Sequence, residues 1–127
     1  MKILILDDMK HRHDAFDERY SSDQIDHAYT YSDFLDLLIN KSPYDIIMLD
    51  HDLDDLVKNY DYYYDGWGRK RPYNGQHAAI KVTELPEELL PQKVIIQSVN
   101  KQGAQAIFNI IQNRGLDVVL EPFDSNQ

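Results

Sequence analysis

The chain has 127 residues, 43% of them hydrophobic, enough for one domain with a real core and too few for two ordinary ones. Its formal charge of −9 disfavours non-specific binding to nucleic-acid backbones, and the absence of cysteine excludes disulfides, thiolate chemistry and cysteine-based zinc sites. No apolar run approaches transmembrane length, and MKILILDD turns acidic too soon for a signal peptide. A single cytoplasmic domain over residues 1–127, with no membrane partner, is therefore expected.

In chain order, Lys2–Leu6 is a short run of Ile and Leu that reads as a strand buried on both faces and ends at Asp7-Asp8. Lys10–Tyr20 reads as a helix, and Gln24–Thr30 as a weaker strand. SDFLDLLINK places Phe34, Leu37 and Leu38 on one helical face, with Ser32 as its expected N-cap and Pro43 blocking extension. Asp45–Leu49 is a second strong strand, running into Asp50, His51 and Asp52. The stretch from Asp52 to Asn74 has no clear period. GQHAAIKVTEL is helical, with Asn74 as a cap, and KVIIQ, Lys93–Gln97, is a third buried strand. NKQGAQAIFNIIQNRG is the strongest helix, its Ala106, Ile107, Ile110 and Ile111 sharing a face and Gly115 placed as a C′ glycine. DVVLEPF is a final strand. Alternation of strands and helices predicts an α/β fold, a doubly wound five-stranded parallel sheet of flavodoxin-like order 2-1-3-4-5, with a long loop after strand 3.

In such a sheet, ligands bind beyond the C-terminal ends of the strands, near the switch point between strands 1 and 3. Asp7, Asp8 and Asp50 end those two strands, while Ser98 and Asn100 follow strand 4. Clustered carboxylates raise one another's pKa unless a cation neutralises them, and oxygen ligands suit a hard divalent ion, Mg²⁺ or Mn²⁺. His51 has two readings, a catalytic acid/base or a structural imidazole bonded beneath the loop, because strand alternation points it away from Asp50. Ser98 either binds a phosphate oxygen or caps the helix that starts near Asn100, where Gly103 allows close approach of an anion. The loop holds Trp67, the only tryptophan, beside Arg69, Lys70 and Arg71. Aromatics with arginines make a clamp for a nucleobase and a phosphate; the alternative is a self-packed aromatic cluster.

The pieces LDD and MLDHD resemble a receiver domain of two-component signalling. The resemblance makes Asp7 and Asp8 the acidic pair, Asp50 the phosphoacceptor and Ser98 the hydroxyl after strand 4. Where receivers carry a Lys after strand 5, this chain has Glu121-Pro122. ILDDMKHRHDAF, LDHDLDD, YDGWGRKRPYNG, QSVNKQG and EPF more narrowly resemble the cyclic-phosphate processing receiver-like family, a divergent branch of receivers. That resemblance covers nearly the whole chain and implies metal-dependent hydrolysis of cyclic phosphates on nucleotides or RNA ends, with no duplex DNA partner. The family usually has His-Ser where Gln97-Ser98 stands here, so an acid/base role would pass to His51 or His13. Asp7, Asp8 and Asp50 would hold the metal, with Asp50 and His51 catalytic. Ser98, Asn100, Gly103, Trp67, Arg69, Lys70 and Arg71 would bind substrate, and Arg12, Asp52 and Gln97 would stand one layer behind. Two other classes remain open, a receiver phosphorylated on Asp50 and a non-catalytic binding module using the aromatic loop.

Overall fold

The computed structural model describes residues 1–53 and 62–121. Its elements are β1 (Lys2–Leu6), α1 (Lys10–Arg19), β2 (Gln24–Ala28), α2 (Tyr31–Lys41), β3 (Ile46–Leu49), β4 (Tyr62–Tyr64), β5 (Lys70–Pro72), α3 (Gly75–Thr83), β6 (Lys93–Ile96), α4 (Lys101–Asn113) and β7 (Asp117–Leu120). A 3₁₀ turn, Glu87–Leu89, follows Pro86. The main sheet is parallel throughout, in the order β2-β1-β3-β6-β7. Counting its own strands, this is the expected order 2-1-3-4-5.

The apolar runs are continuous because both faces of the sheet are covered. Leu4, Leu6, Ile47 and Leu49 point into a core shared with α2, α3 and α4, through Phe34, Leu38, Ala78, Val82, Ile107 and Ile111. Ile3, Ile5, Ile46, Met48 and Ile95 point the other way, onto Phe16 of α1. This two-residue alternation decides where the strand-end residues go. Asp7 continues the Ile3, Ile5 series and Asp50 the Ile46, Met48 series, toward α1. His51 continues the Ile47, Leu49 series, toward α3 and α4.

Local capping follows the sequence at α3 and differs at two helices, α4, where Asn100 rather than Ser98 is the cap, and α2. Asn74 caps α3 through Gln76 N–H, and Asn100 caps α4 through Gly103 N–H. Gly115, at φ 86°, supplies the left-handed residue after α4. The cap of α2 is Thr30, not Ser32: the Thr30 hydroxyl accepts from Asp33 N–H at 3.1 Å, and the helix begins one residue before Ser32. The expected strand 117–123 is seen as Asp117–Leu120; Pro122 and Phe123 lie outside the described residues. Within the expected loop, residues 62–72 form an antiparallel hairpin, with Tyr62 opposite Pro72 and Tyr64 opposite Lys70. Strands of three residues, YYY and KRP, are too short to reveal a period. Residues 54–61 of that loop lie outside the described residues.

Candidate functional site

Parallel register sets Leu6 beside Leu49, and Asp50 N–H donates to the Leu6 carbonyl at 3.0 Å. The two strands therefore release Asp7 and Asp50 side by side. Carboxylate oxygens of Asp7, Asp8 and Asp50 lie within 4.8 Å of one another, and all three residues are buried. From α1, Arg12 reaches between two of them, its Nη1 donating to Asp7 Oδ2 at 3.3 Å and Asp50 Oδ2 at 3.2 Å. Arg12 thus stands inside the acid cluster rather than behind it.

Removal from water, the largest cause, pushes the Asp7 carboxyl up to about 6, against the opposing effects of the Met9 N–H and Arg12. The same burial, followed by repulsion from Asp7, pushes Asp50 up to about 7, although Arg12 opposes it. One guanidinium does not offset three carboxylates. With all three ionised, two negative charges remain, which one divalent cation matches. The donor set fits Mg²⁺: hard carboxylate oxygens, few in number.

His51 faces the opposite side of β3. Its Nδ1 lies 2.7 Å from Asp52 Oδ1, and the Gln76 amide meets its Nε2 at 3.0 Å. Since the carboxylate accepts, Nδ1 carries the proton and Nε2 is the basic nitrogen. The reading of Gly103 as an anion cradle is corrected here. A Cβ on Gly103 would meet the His51 ring at 2.3 Å, so the space a side chain would fill is already taken by imidazole. Gly75, at the start of α3, is equally constrained, with a Cβ meeting the Asp50 carbonyl oxygen at 2.0 Å.

Ser98 Oγ accepts from Asn100 N–H at 3.1 Å, and Asn100 donates to Asp52 Oδ1 at 3.2 Å. Both residues belong to the His51 side, at the start of α4. Half-buried Gln97 continues the sheet, its N–H donating to the Leu49 carbonyl. His13 supports the exit of β1 from beneath: its Nε2 donates to the Asp7 carbonyl at 2.7 Å, and Nδ1 lies 2.6 Å from His27 Nδ1. Desolvation lowers the His13 pKa. Glu121, where receivers have Lys, pairs with Arg19 at 3.0 Å.

The basic triplet lies on the hairpin, and its contacts are internal. Asp65 Oδ2 accepts from Nε of Arg69 at 3.0 Å and of Arg71 at 3.1 Å, and Lys70 sits over the Tyr62 ring at 4.1 Å. These cations therefore have packing partners within the hairpin itself. Tyr63 packs on Tyr73 and on His77 of α3, while Tyr73 stacks on Tyr31 of α2 at 4.2 Å. The self-packed cluster and the exposed cations thus coexist: the tyrosines anchor the hairpin, and Trp67 projects from its tip, 85% exposed.

Sequence reasoning missed Gln76 and Asp65. Gln76 had a faint signal, two residues past a capping Asn, but its target is 25 residues away. Asp65 had a better one: Asp-Gly-Trp-Gly is turn chemistry, with the carboxylate accepting from Trp67 and Arg69 N–H.

The parallel order, the acidic strand ends and the aspartate closing β3 define the receiver class of α/β domains. The family model of the cyclic-phosphate processing receiver domain matches residues 2–113, and the chain belongs to that family. Solved receiver structures share the fold. A CheY-like receiver domain from Methylobacillus flagellatus superposes with a TM-score of 0.64 at 21% identity, over 96% of this chain and 86% of that one. A two-component response regulator from Clostridium difficile gives 0.63 at 21% identity, over 99% and 87%. A response regulator from Burkholderia pseudomallei, solved with a phosphorylated aspartic acid, a calcium ion and citrate, gives 0.62 at 11% identity, over 98% and 61%. No curated protein matches. Among the described residues, no helix is long and apolar enough to cross a membrane.

Proposed function

We propose that this chain is a divalent-cation-dependent phosphoesterase that opens cyclic phosphate groups on nucleotides or RNA ends in the cytoplasm. The observation that carries this reading is the buried trio Asp7, Asp8 and Asp50, with Arg12 inserted between two of its members. Family membership supplies the substrate class. The three carboxylates would hold Mg²⁺ or Mn²⁺. Such a cation, when bound, polarises a phosphoryl oxygen and lowers the pKa of a water.

The remaining work falls to side chains. Arg12 faces the phosphoryl group as the fixed cation, a role that receivers give to a Lys after the last strand and that Glu121 cannot fill. Ser98 and Asn100 present a hydroxyl and an amide at the start of α4 for phosphate oxygens. In ring opening, one P–O bond forms to water and one ester P–O bond breaks, and the water's proton ends on the released hydroxyl. His51 lies on the opposite side of β3, held by Asp52 and Gln76, and supports the loop rather than that transfer.

The test is turnover of cyclic nucleotides and cyclic-phosphate-ended oligonucleotides with Mg²⁺, Mn²⁺ or EDTA. Metal-dependent ring opening that disappears in Asp50→Ala supports the reading; full turnover in that variant overturns it. A second reading, phosphorylation of Asp50 by a small phosphodonor, is favoured by the position of Asp50 at the end of β3 and opposed by Glu121. Mass spectrometry after acetyl phosphate treatment distinguishes the two.

A further inference from the structure

The hairpin is a preassembled and unusual surface. Residues 62–72 hold three cations and one carboxylate, a net +2, in a chain that carries −9 overall. One side chain organises the tip. Asp65 Oδ1 accepts from the N–H groups of Trp67 and Arg69, and Oδ2 accepts from Nε of Arg69 and Arg71. The backbone closes around it, with Gly68 in the left-handed region at φ 74° and Asp65 N–H donating to the Arg69 carbonyl. Both guanidiniums are thus aimed through a single nitrogen. Their Nη edges, which would form a fork to an anion, carry no bond to a described residue, and the two side chains are 59% and 46% exposed.

The aromatic component is equally exposed. Trp67 stands at the tip and Tyr64 is 71% exposed next to it, whereas Tyr63 anchors the hairpin on His77 and Tyr73. An indole held out by an ordered turn that also aims two guanidiniums offers a π-face and two phosphate ligands on one hairpin. What sets the hairpin apart is the combination on one ordered turn of exposed aromatics with a net positive charge in an acidic chain.

We propose that the β4–β5 hairpin is a docking site for single-stranded nucleic acid, in which an unpaired base stacks on Trp67 and adjacent phosphates meet Arg69 and Arg71. Stacking on an aromatic side chain tolerates any base but requires that it be unpaired, so a duplex is refused. The negative charge of the rest of the chain keeps the contact local and short. Docking needs neither a metal nor turnover, and so stands independently of the hydrolytic reading. If that reading also holds, the hairpin marks the substrate as the end of a strand rather than a free cyclic nucleotide. Its base sits on the first turn of α3, where Gln76 meets His51.

The test uses the full chain in EDTA and follows emission of Trp67, the only tryptophan, as an oligouridine of about ten nucleotides is added. Saturable quenching is expected, with oligodeoxythymidine as the second arm to assign RNA or DNA as the preferred strand. By anisotropy of the labelled strand, Trp67→Ala should bind roughly five- to a hundredfold more weakly, and Trp67→Tyr should recover most of the loss. Arg69→Ala with Arg71→Ala should flatten the salt dependence, the slope of log K against log salt falling by about 1.4. Asp50→Ala should quench like the wild type, which separates this result from loss of hydrolysis. Absence of quenching overturns the proposal, as does undiminished binding by Trp67→Ala. Equal competition by a duplex, or by polyglutamate, also overturns it, the latter assigning the hairpin to an acidic protein surface.

Discussion

Asp7 and Asp50 are almost wholly buried at the ends of adjacent strands, whereas Arg69 and Arg71 sit on a hairpin with about half of each side chain in water. Both regions set like charges side by side, and each is held by one oppositely charged residue, Arg12 in the first and Asp65 in the second. The outcomes differ because solvent differs. Burial leaves the carboxylates raised toward neutral pH and short of positive charge; exposure leaves the guanidiniums screened and available. A buried excess of charge calls for an ion, and an exposed one for a partner.

The sharpest way to break that contrast is to remove one buried charge. Asp50→Asn should reduce metal-dependent ring opening by at least about a hundredfold. In the metal-free protein at pH 8 the same change should raise stability by about 1–3 kcal/mol, because a carboxylate raised to about 7 is ionised there at a cost. Denaturation curves and turnover on one sample check both halves; a destabilised Asp50→Asn protein would mean that the cluster is already neutralised.

Glycines make the next comparison. Gly75→Ala would drive a methyl group onto the Asp50 carbonyl, which belongs to the backbone and cannot move aside, so a loss of about 3 kcal/mol is expected. Gly66→Ala, at a hairpin position with nothing within 4 Å, should change stability by less than about 0.5 kcal/mol. Chemical denaturation of the two variants measures the difference directly.

The third measurement is a pH series without metal. Asp7 and Asp50 have folded-state values of about 6 and about 7, above the ordinary 3.8. The folded state therefore binds more protons, and the stability these groups contribute is present below pH ~4 and lost as pH rises toward 7, on the order of a few kcal/mol in total. Mg²⁺ should flatten the slope by favouring the ionised forms. A flat metal-free profile would remove the basis for a buried charge excess. The smallest effect belongs to the hairpin: Asp65→Asn should leave global stability within about 1 kcal/mol while weakening oligouridine binding, because it loosens the tip rather than the core.

Much of this was legible from residue order. Apolar runs of four or five residues located β1, β3 and β6, and the cap at Asn74 located one helix start. Asp7, Asp8 and Asp50 could be grouped because a parallel sheet brings consecutive strand ends to one edge. Partners distant in sequence could not be read. Arg12 meets Asp50 across 38 residues, and Gln76 meets His51 across 25. Gly103 looked like a place for an anion because its missing side chain was visible while the imidazole filling that space was not.

The sequence by itself determined the succession of strands and helices, since period and capping are local properties, and with it the class of fold and the acidic edge. Only the tertiary structure decided which helix faces each side of the sheet. Alternation sends Asp50 and His51 to opposite faces, but it does not say that α1 brings an arginine to one, or that α3 and α4 close over the imidazole on the other. Those pairings depend on long-range packing, where burial removes the water that would otherwise have screened the charges.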